Sequence, residues 1–214
     1  IATICPRCRH NCLTRITGSE RRRCSRSATV SLALPLEQLN SSGNSLSGCS
    51  FGKPAVNNSK GCGGVMRVAP IGMLFHALTL TSPKARSEHY QRSFELGCEA
   101  AALTHGHPTG YLTAGVMAAL VFDVLDGIDL TSAINRVVPL LKAREHHEET
   151  LAAIEAAQRL LATDIEPTEA IDELGEGWVA EEALAIGLYC ALKAQDLESG
   201  VIMAVNHDGD SDST

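Results

Sequence analysis

Residues 107–125 read HPTGYLTAGVMAALVFDVL, a run in which Asp123 alone is charged at neutral pH. Its small residues are Gly110, Ala114, Gly115 and Ala118. Three of these recur at every fourth position, on one side of a helix, where they let a second helix approach closely. Pro108 suits a first helical turn, because its missing N–H would have no partner there. The stretch therefore predicts an apolar core helix.

Helical patterns recur on both sides of this stretch, and no segment alternates as a strand would. They predict helices over residues 65–80, 87–104, 130–144, 146–162, 167–174, 179–194 and 197–205 in addition to 107–125. Residues 65–80 are apolar nearly all round, which is typical of a buried helix. No segment repeats with a fixed period. The pattern predicts an all-α fold with short loops.

The net charge of −7 is unevenly distributed along the chain. Residues 1–34 carry seven arginines and one acidic residue, whereas the rest carries 11 basic and 24 acidic residues. The acidic part would repel a nucleic acid, so we expect no nucleic-acid partner. Residues 1–34 lack helical or strand periodicity and are predicted to be a poorly structured basic arm. A helical domain is predicted over residues 35–214.

The sequence also bears on location and on metal binding by cysteine. No apolar run reaches the roughly 18 residues of a membrane helix, and no signal peptide is recognised. We therefore expect no membrane partner, a cytoplasmic location, and free thiols for the eight cysteines. Cys5, Cys8 and Cys12 do offer zinc-ligand types at tight spacing, but Cys24 alone lies at a distance suited to a second ligand pair. A structural zinc site there stays an alternative.

A glycine-rich loop, NNSKGCGGVMR over residues 57–67, leads into the first predicted helix. Glycines let a ligand approach backbone N–H groups, and a helix N-terminus favours an anion such as a phosphate. The loop is not a P-loop, because its lysine precedes the glycines. The alternative is an ordinary turn before a helix.

A second loop, LTHGHPTGY over residues 103–111, separates two predicted helices with paired histidines. Histidines two positions apart can bind a metal or a substrate's hydroxyls. The alternative is that a histidine caps the helix that follows.

The last seven residues, DGDSDST, place Asp208, Asp210 and Asp212 at every second position. Alternate carboxylates in a turning loop can converge on a hard divalent cation. The segment also imitates the phosphoryl-acceptor motif of haloacid-dehalogenase-like phosphatases, but no doubly wound α/β domain follows it. An EF-hand loop is disfavoured as well, because its sixth position is Ser213 rather than glycine.

Together these three segments resemble the ADP-ribosylglycohydrolases, the family of dinitrogenase reductase activating glycohydrolase, in motif, order and rough spacing. The resemblance runs from about residue 36 to residue 214, and residues 1–34 are interpreted as unrelated to the family pattern. It implies a compact, all-α orthogonal bundle with a two-metal Mg²⁺ or Mn²⁺ centre. The implied reaction is hydrolysis of the bond joining ADP-ribose to a protein side chain, arginine in the best-known branch. The implied partner is an ADP-ribosylated protein or a small ADP-ribosyl compound.

The resemblance also assigns roles to individual residues. Asp210 and Asp212 would be catalytic metal ligands together with the Ser213 hydroxyl, and Asp208 would be an outer member. The residues lining the diphosphate and ribose pocket would be Ser59, Gly61, Cys62 and Gly63. His105 would contact the distal part of the same ligand.

Two expected parts of the family pattern are missing from the sequence. One is an upstream Gly-Asp segment with a Thr-Asp-Asp-Thr segment that supplies the other metal ligands, and the other is a helix after the last motif. These departures predict a domain truncated at both ends, with poor metal affinity and no activity as it stands. The alternative function is a non-catalytic helical module that binds ADP-ribose or a protein partner.

Overall fold

The computed structural model describes residues 52–214, and in this range the predicted all-α fold is confirmed. The helices are α1 (Ala69–Thr81), α2 (Arg86–Ala102), α3 (Pro108–Leu125), α4 (Leu130–Lys142), α5 (Glu148–Leu161), α6 (Pro167–Leu174), α7 (Ala180–Lys193) and α8 (Leu197–Val205). Two short 3-10 helices, Cys62–Arg67 and Pro83–Ala85, precede α1 and α2.

Helix α3 is the centre of the described bundle, in contact with α1, α2, α4, α5 and α7. Small residues allow these contacts to be close. A Cβ added to Gly97 of α2 would lie 2.9 Å from the Cβ of Ala118, and one added to Gly72 of α1 would overlap the Ala118 carbonyl. The small face predicted for residues 107–125 therefore receives two neighbouring helices.

The apolar core surrounds α3 and α7. Its largest fully buried side chains include Phe94, Phe122, Ile134, Leu184 and Tyr189. They come from α2, α3, α4 and α7, so one continuous cluster holds these helices together. The first turn of α3 projects from this core toward the glycine-rich loop, which is how the bundle positions the loops described below.

The prediction of one buried helix over residues 65–80 is wrong in two respects. The chain forms the 3-10 helix Cys62–Arg67 and begins α1 only at Ala69, with a proline in the first turn. Of α1, only Gly72 and Thr79 are buried. Its exposed large apolar residues are Met73, Leu74, Leu78 and Leu80. The apolar composition of residues 65–80 predicted more burial than α1 has, because only one side of α1 packs on α2 and α3.

Two helical stretches of the described chain are long and apolar enough to cross a membrane, so the expectation that no such run exists was wrong. One is Pro108–Leu125, of which 67% is buried, as in the core helix of a globular bundle. The other is Cys62–Thr81, which changes from a 3-10 to an α-helix at Val68. Two helices of this kind are weak evidence for a membrane.

The predicted arm over residues 1–34 and the cysteines of the alternative zinc site lie outside the described residues. Within residues 52–214 the cysteines Cys62, Cys98 and Cys190 are free, as expected.

Candidate functional site

The glycine-rich loop and the histidine loop are joined by one asparagine side chain. Asn57 Oδ1 accepts hydrogen bonds from the backbone N–H groups of Gly106 at 2.8 Å and Ser59 at 3.1 Å. Its Nδ2 donates to the carbonyl of Thr104 at 3.1 Å. All three side-chain hydrogen bonds of Asn57 go to backbone groups of the two loops, which have no hydrogen-bond partner within a helix. Asn57 therefore holds the two loops in register.

The glycine-rich loop is also tied to the segment before α7. An isolated antiparallel bridge joins Gly61 to Val179. The N–H of Cys62 donates to the carbonyl of Trp178 at 3.1 Å. On the other side of the bridge, the N–H of Ala180 donates to the carbonyl of Lys60 at 2.8 Å. This pairing brings the α6–α7 loop beside the glycines.

The acidic C-terminal motif packs against the same α6–α7 loop. The N–H of Asp210 donates to the carbonyl of Glu176 at 2.6 Å. Gly177 has a φ of +85°, a conformation that a side chain would strain, and a Cβ there would lie 3.1 Å from Thr214. The Glu182 carboxylate accepts from the N–H groups of Glu176 and Gly177 at 3.2 and 3.1 Å. The α7 N-terminus therefore fixes the turn that receives the motif.

A histidine closes the other side of the C-terminal motif. His207 Nδ1 accepts from the N–H of Gly209 at 3.1 Å, and its Nε2 lies 3.1 Å from the hydroxyl of Thr214. That hydroxyl donates to the carbonyl of Ala204 in α8 at 2.6 Å. The chain of bonds assigns the Nε2–H tautomer to His207 and curls the motif back onto α8.

One side chain of the glycine-rich loop, Cys62, meets two side chains of the C-terminal motif, Asp210 and Ser213. We call this place the meeting point. The Cys62 thiol lies 3.1 Å from Ser213 Oγ and 3.5 Å from Asp210 Oδ2. The Ser213 hydroxyl donates to the same Asp210 oxygen at 2.6 Å. All three residues are half-buried. The structure thus joins predicted pocket and metal residues that lie 148 positions apart in the sequence.

Asp208 and Asp212 do not join this group. Both are exposed, and neither side chain makes a hydrogen bond or ion pair in the described part of the chain. Residues 52–214 contain no cluster of three or more His, Cys, Asp or Glu side chains arranged to hold a metal ion. Of the predicted metal ligands, Asp210 and Ser213 are therefore in contact, whereas Asp212 is exposed and bonded to neither.

His105 lies beneath the glycine-rich loop. A Cβ on Gly61 or Gly63 would lie 3.7 Å from its ring, and His105 as a residue is 9% exposed. Its Nδ1 is 2.7 Å from the hydroxyl of Thr104. Burial, and then the Arg67 guanidinium, lower the pKa of His105, so the ring is neutral at pH 7. Its position supports the glycines from below.

His107 caps α3, which is the alternative interpretation of the histidine loop. Its φ and ψ are extended, and its Nδ1 accepts from the N–H of Thr109 at 3.2 Å. Pro108 follows at the first helical position, as predicted. The two histidines thus have different roles, one under the loop and one at the helix start.

The chain matches the sequence profile of the ADP-ribosylglycohydrolase family over residues 9–214. It belongs to the ADP-ribosylglycohydrolase family. The match begins at residue 9, upstream of residue 36, where the resemblance of the motifs begins, and so includes most of the segment predicted as an arm. The boundary between residues 34 and 35 stays a prediction.

The chain is similar to an uncharacterized protein of Archaeoglobus fulgidus, with 30% identity over 166 residues. The alignment covers 71% of the chain but 45% of the relative, so the chain spans less than half the length of the protein it matches. No solved structure matches the chain.

A charged cluster beside the glycine-rich loop was not predicted from the sequence motifs. Lys60 Nζ forms an ion pair with Glu149 Oε2 at 3.2 Å and another with Glu181. Thr109 Oγ1 donates to Glu149 at 2.8 Å. The Thr109 hydrogen bond, and then Lys60, lower the pKa of Glu149, and the bond to Glu181 raises that of Lys60. No spacing rule joins these residues, because they come from four separate segments.

Trp178 was also missed as part of the site. It is the single tryptophan of the chain and is 60% exposed. Its backbone carbonyl accepts a hydrogen bond from the N–H of Cys62. Its rarity was a signal, but its place beside Cys62 depends on the bridge to the α6–α7 loop. The backbone of Trp178 therefore borders the glycine-rich loop, and its side chain is exposed.

The donors where Cys62, Asp210 and Ser213 meet fit a bound Mg²⁺ or Mn²⁺ only in part. Asp210 Oδ2 and Ser213 Oγ are hard oxygen donors, which suit these ions in type. Asp210 takes part in no ion pair within residues 52–214, so a cation would neutralise it. Two oxygens are fewer than the octahedral shell of either ion requires. The described donors therefore fit part of such a site.

Proposed function

We propose that the site acts on ADP-ribosyl compounds, hydrolysing the glycosidic bond between ADP-ribose and a protein side chain, with arginine as the acceptor. One observation carries the proposal: the glycine-rich loop and the acidic motif meet where Cys62 contacts Asp210 and Ser213. A ligand that reaches across this point has glycine backbone on one side and carboxylate oxygen on the other.

The residues of the loop would bind the diphosphate and ribose of this ligand. Gly61 and Gly63 present backbone without side chains, and the 3-10 helix Cys62–Arg67 begins there with no side-chain cap on its N–H groups. The Cys62 N–H donates to the Trp178 carbonyl, so the backbone N–H that would bind phosphate oxygens is that of the next residue, Gly63. Ser59 lies at the entrance of the loop, and His105 supports it from below. Because His105 is neutral, it adds no charge to the phosphate site.

Asp210, Asp212 and Ser213 would hold divalent cations, Mg²⁺ or Mn²⁺, as two ions in the complete site. When bound, such ions orient ribose hydroxyls and a water at the anomeric carbon. The chain itself contributes the position of the Asp210 carboxylate, which the Glu176 carbonyl fixes through the backbone. Since the described donors are few, we expect weak metal affinity and little or no turnover by the 214-residue chain.

The experiment separates binding from turnover. ADP-ribose is titrated against the 214-residue chain with Mn²⁺, with heat and Trp178 fluorescence as the readouts, and release of ADP-ribose from ADP-ribosylated arginine is measured in parallel. Gly63→Trp should abolish binding by filling the loop, and Asp210→Ala should remove its dependence on Mn²⁺. A wild-type chain that binds no ADP-ribose would refute the proposal. Rapid ADP-ribose release by the wild type would refute the expected inactivity.

The second candidate function is binding without turnover. It is favoured by the exposure of Asp212, which leaves Asp210 as the one carboxylate at the meeting point among residues 52–214. In that case Gly63→Trp abolishes ADP-ribose binding while Asp210→Ala leaves both affinity and Mn²⁺ dependence unchanged. The same pair of variants therefore distinguishes the two functions.

A further inference from the structure

Three helices begin beside the glycine-rich loop, and each contributes one polar side chain to the same small cluster. Thr109 lies in the first turn of α3, Glu149 in the first turn of α5 and Glu181 in the first turn of α7. The Lys60 side chain lies among them, with its Nζ 3.2 Å from Glu149 Oε2 and in an ion pair with Glu181. The partial positive charge of a helix N-terminus stabilises a carboxylate, so both glutamates suit these positions. Lys60 thus joins the loop to the starts of α5 and α7.

The loop is attached to α7 at two points of Lys60. The backbone carbonyl of Lys60 accepts from the N–H of Ala180, the first residue of α7, at 2.8 Å. Its Nζ pairs with Glu181, the next residue along that helix. Two attachments fix the orientation of a residue as well as its position. Gly61 follows directly, so the direction in which the glycines present their backbone depends on both attachments.

The attachment to α5 depends on the Lys60 side chain. Within the described range, the ion pair with Glu149 is the only hydrogen bond or ion pair between residues 57–67 and α5. Glu149 Oε2 also accepts from the hydroxyl of Thr109 at 2.8 Å. The Glu149 side chain is 54% exposed, whereas Thr109 is buried, so Thr109 gives this carboxylate a fixed place. Lys60 is therefore linked to α3 as well, through the oxygen that it shares with Thr109.

The Glu181 side chain makes the cluster sensitive to the loss of Lys60. It is 14% exposed, and its Oε2 is buried and accepts no hydrogen bond from residues 52–214. In the same range Lys60 is the one cation paired with it. Removing the partner of a buried carboxylate is strongly destabilising, because the charge is then uncompensated. Lys60 therefore has two separable effects, since it neutralises Glu181 and it attaches the loop.

We propose that Lys60 is a positioning residue, which holds the glycine-rich loop against α5 and α7 in the geometry that presents the Gly63 N–H to a ligand. Both ion pairs exist without a ligand, so Lys60 acts on the loop and not through contact with the ADP-ribosyl group. The effect on ADP-ribose binding rests on the proposed function, whereas the effect on the position of the loop does not.

Amide hydrogen exchange of residues 57–67, measured without ligand, tests the position of the loop. Lys60→Met should speed exchange in this segment by about tenfold, because the loop opens locally more often. The double variant Lys60→Met/Glu181→Gln removes the buried charge together with its partner. It should regain the free energy of unfolding of the wild type while its loop still exchanges fast. Arg159→Met, which breaks the exposed ion pair with Glu173, is the control and should change neither quantity.

Two results of the exchange experiment would overturn the proposal. One is unchanged loop exchange in Lys60→Met. The other is a double variant that regains slow loop exchange together with stability, because Lys60 would then serve only to neutralise Glu181. If Lys60→Met does not fold, the double variant is compared with Glu181→Gln, and its loop must exchange faster.

Titration of ADP-ribose against the same proteins is a separate readout. The double variant should bind ADP-ribose about tenfold more weakly than Glu181→Gln, because its loop spends less time in the binding geometry. Equal affinity of the two, with faster loop exchange in the double variant, would overturn the role of Lys60 in binding. A wild type that binds no ADP-ribose refutes the proposed function, and the exchange result then decides the role of Lys60 by itself.

Discussion

Among residues 52–214, Asp123 is the one buried acidic side chain. It lies on α3 with Arg136 Nε at 3.1 Å and Arg86 Nη2 at 3.5 Å. Burial raises its pKa, and the two arginines oppose that rise. Since the net direction is upward, desolvation of the carboxylate outweighs both ion pairs. This charge stabilises the bundle less than its two partners suggest.

The direction of the shift predicts how stability depends on pH. A carboxyl with a raised pKa in the folded state contributes stability that is present at low pH and is lost as pH rises through that pKa. The free energy of unfolding of the wild type, relative to Asp123→Asn, should therefore fall as pH rises above about 4. Denaturant titrations of both proteins at several pH values measure this. A difference that grows with pH would contradict the prediction.

Two further variants serve as controls for Asp123. Asp123→Ala should cost about 2–3 kcal/mol, more than the asparagine variant, because it leaves a void and removes the carboxylate partner of Arg136, whereas Arg86 keeps its ion pair with Asp126. Asp129→Asn should show the opposite dependence on pH, since hydrogen bonds from Ser132 lower the pKa of Asp129 at the start of α4. Its contribution is present at neutral pH and is lost on acidification.

At the scale of elements, a loop glycine and a helix glycine differ sharply in what surrounds them. A Cβ on Gly106 would overlap the carbonyls of Ala55 and Asn57, whereas one on Gly187 of α7 would meet nothing within 4 Å. The first glycine is required by the close approach of two loops. The second lies in the middle of a helix and has no neighbour that excludes a side chain.

The same substitution should therefore have opposite effects at these two positions. Gly106→Ala should lower the free energy of unfolding by about 1–3 kcal/mol, because it forces the two loops apart. It should also weaken ADP-ribose binding, since the Asn57 contact is lost. Gly187→Ala should raise stability by roughly 0.5–1 kcal/mol through its helix preference. Denaturant unfolding and ligand titration measure both. Normal binding by Gly106→Ala would show that the loop contact is dispensable.

At the scale of the whole molecule, the site is assembled from four loop segments, 57–63, 104–107, 176–180 and 208–214. Segment 104–107 connects α2 to α3, 176–180 leads into α7, 208–214 follows α8, and 57–63 leads into the 3-10 helix Cys62–Arg67. A ligand that binds across them binds the folded state alone. Its binding energy is then added to the stability of the bundle.

ADP-ribose should therefore raise the unfolding temperature. At a concentration of 100 times its dissociation constant the added stability is about 2.7 kcal/mol, or roughly 5–10 °C for a chain of this size. Thermal unfolding followed by circular dichroism measures the shift. Gly63→Trp, which should bind no ADP-ribose, is the control and should show none. An equal shift in wild type and variant would mean that the ligand binds elsewhere.

Helix positions were well predicted from local patterns, while burial was not. The predicted ranges 167–174 and 197–205 coincide with α6 and α8, because proline and capping residues mark where these helices begin. For α1, an apolar sequence predicted burial that the described structure does not show. Composition measures how apolar a helix is, and contact with other helices decides which side is covered.

The sequence by itself determined the helices, the order of the three motifs and the residue types that metal and phosphate binding need. Only the tertiary structure decided that Cys62 meets Asp210 and Ser213, that His105 lies under the glycines, and that His107 caps α3. The physical reason is the distance along the sequence over which each kind of interaction acts. Helical periodicity and capping act over a few residues, whereas contacts between residues 148 positions apart depend on how α3 and α7 pack around one core.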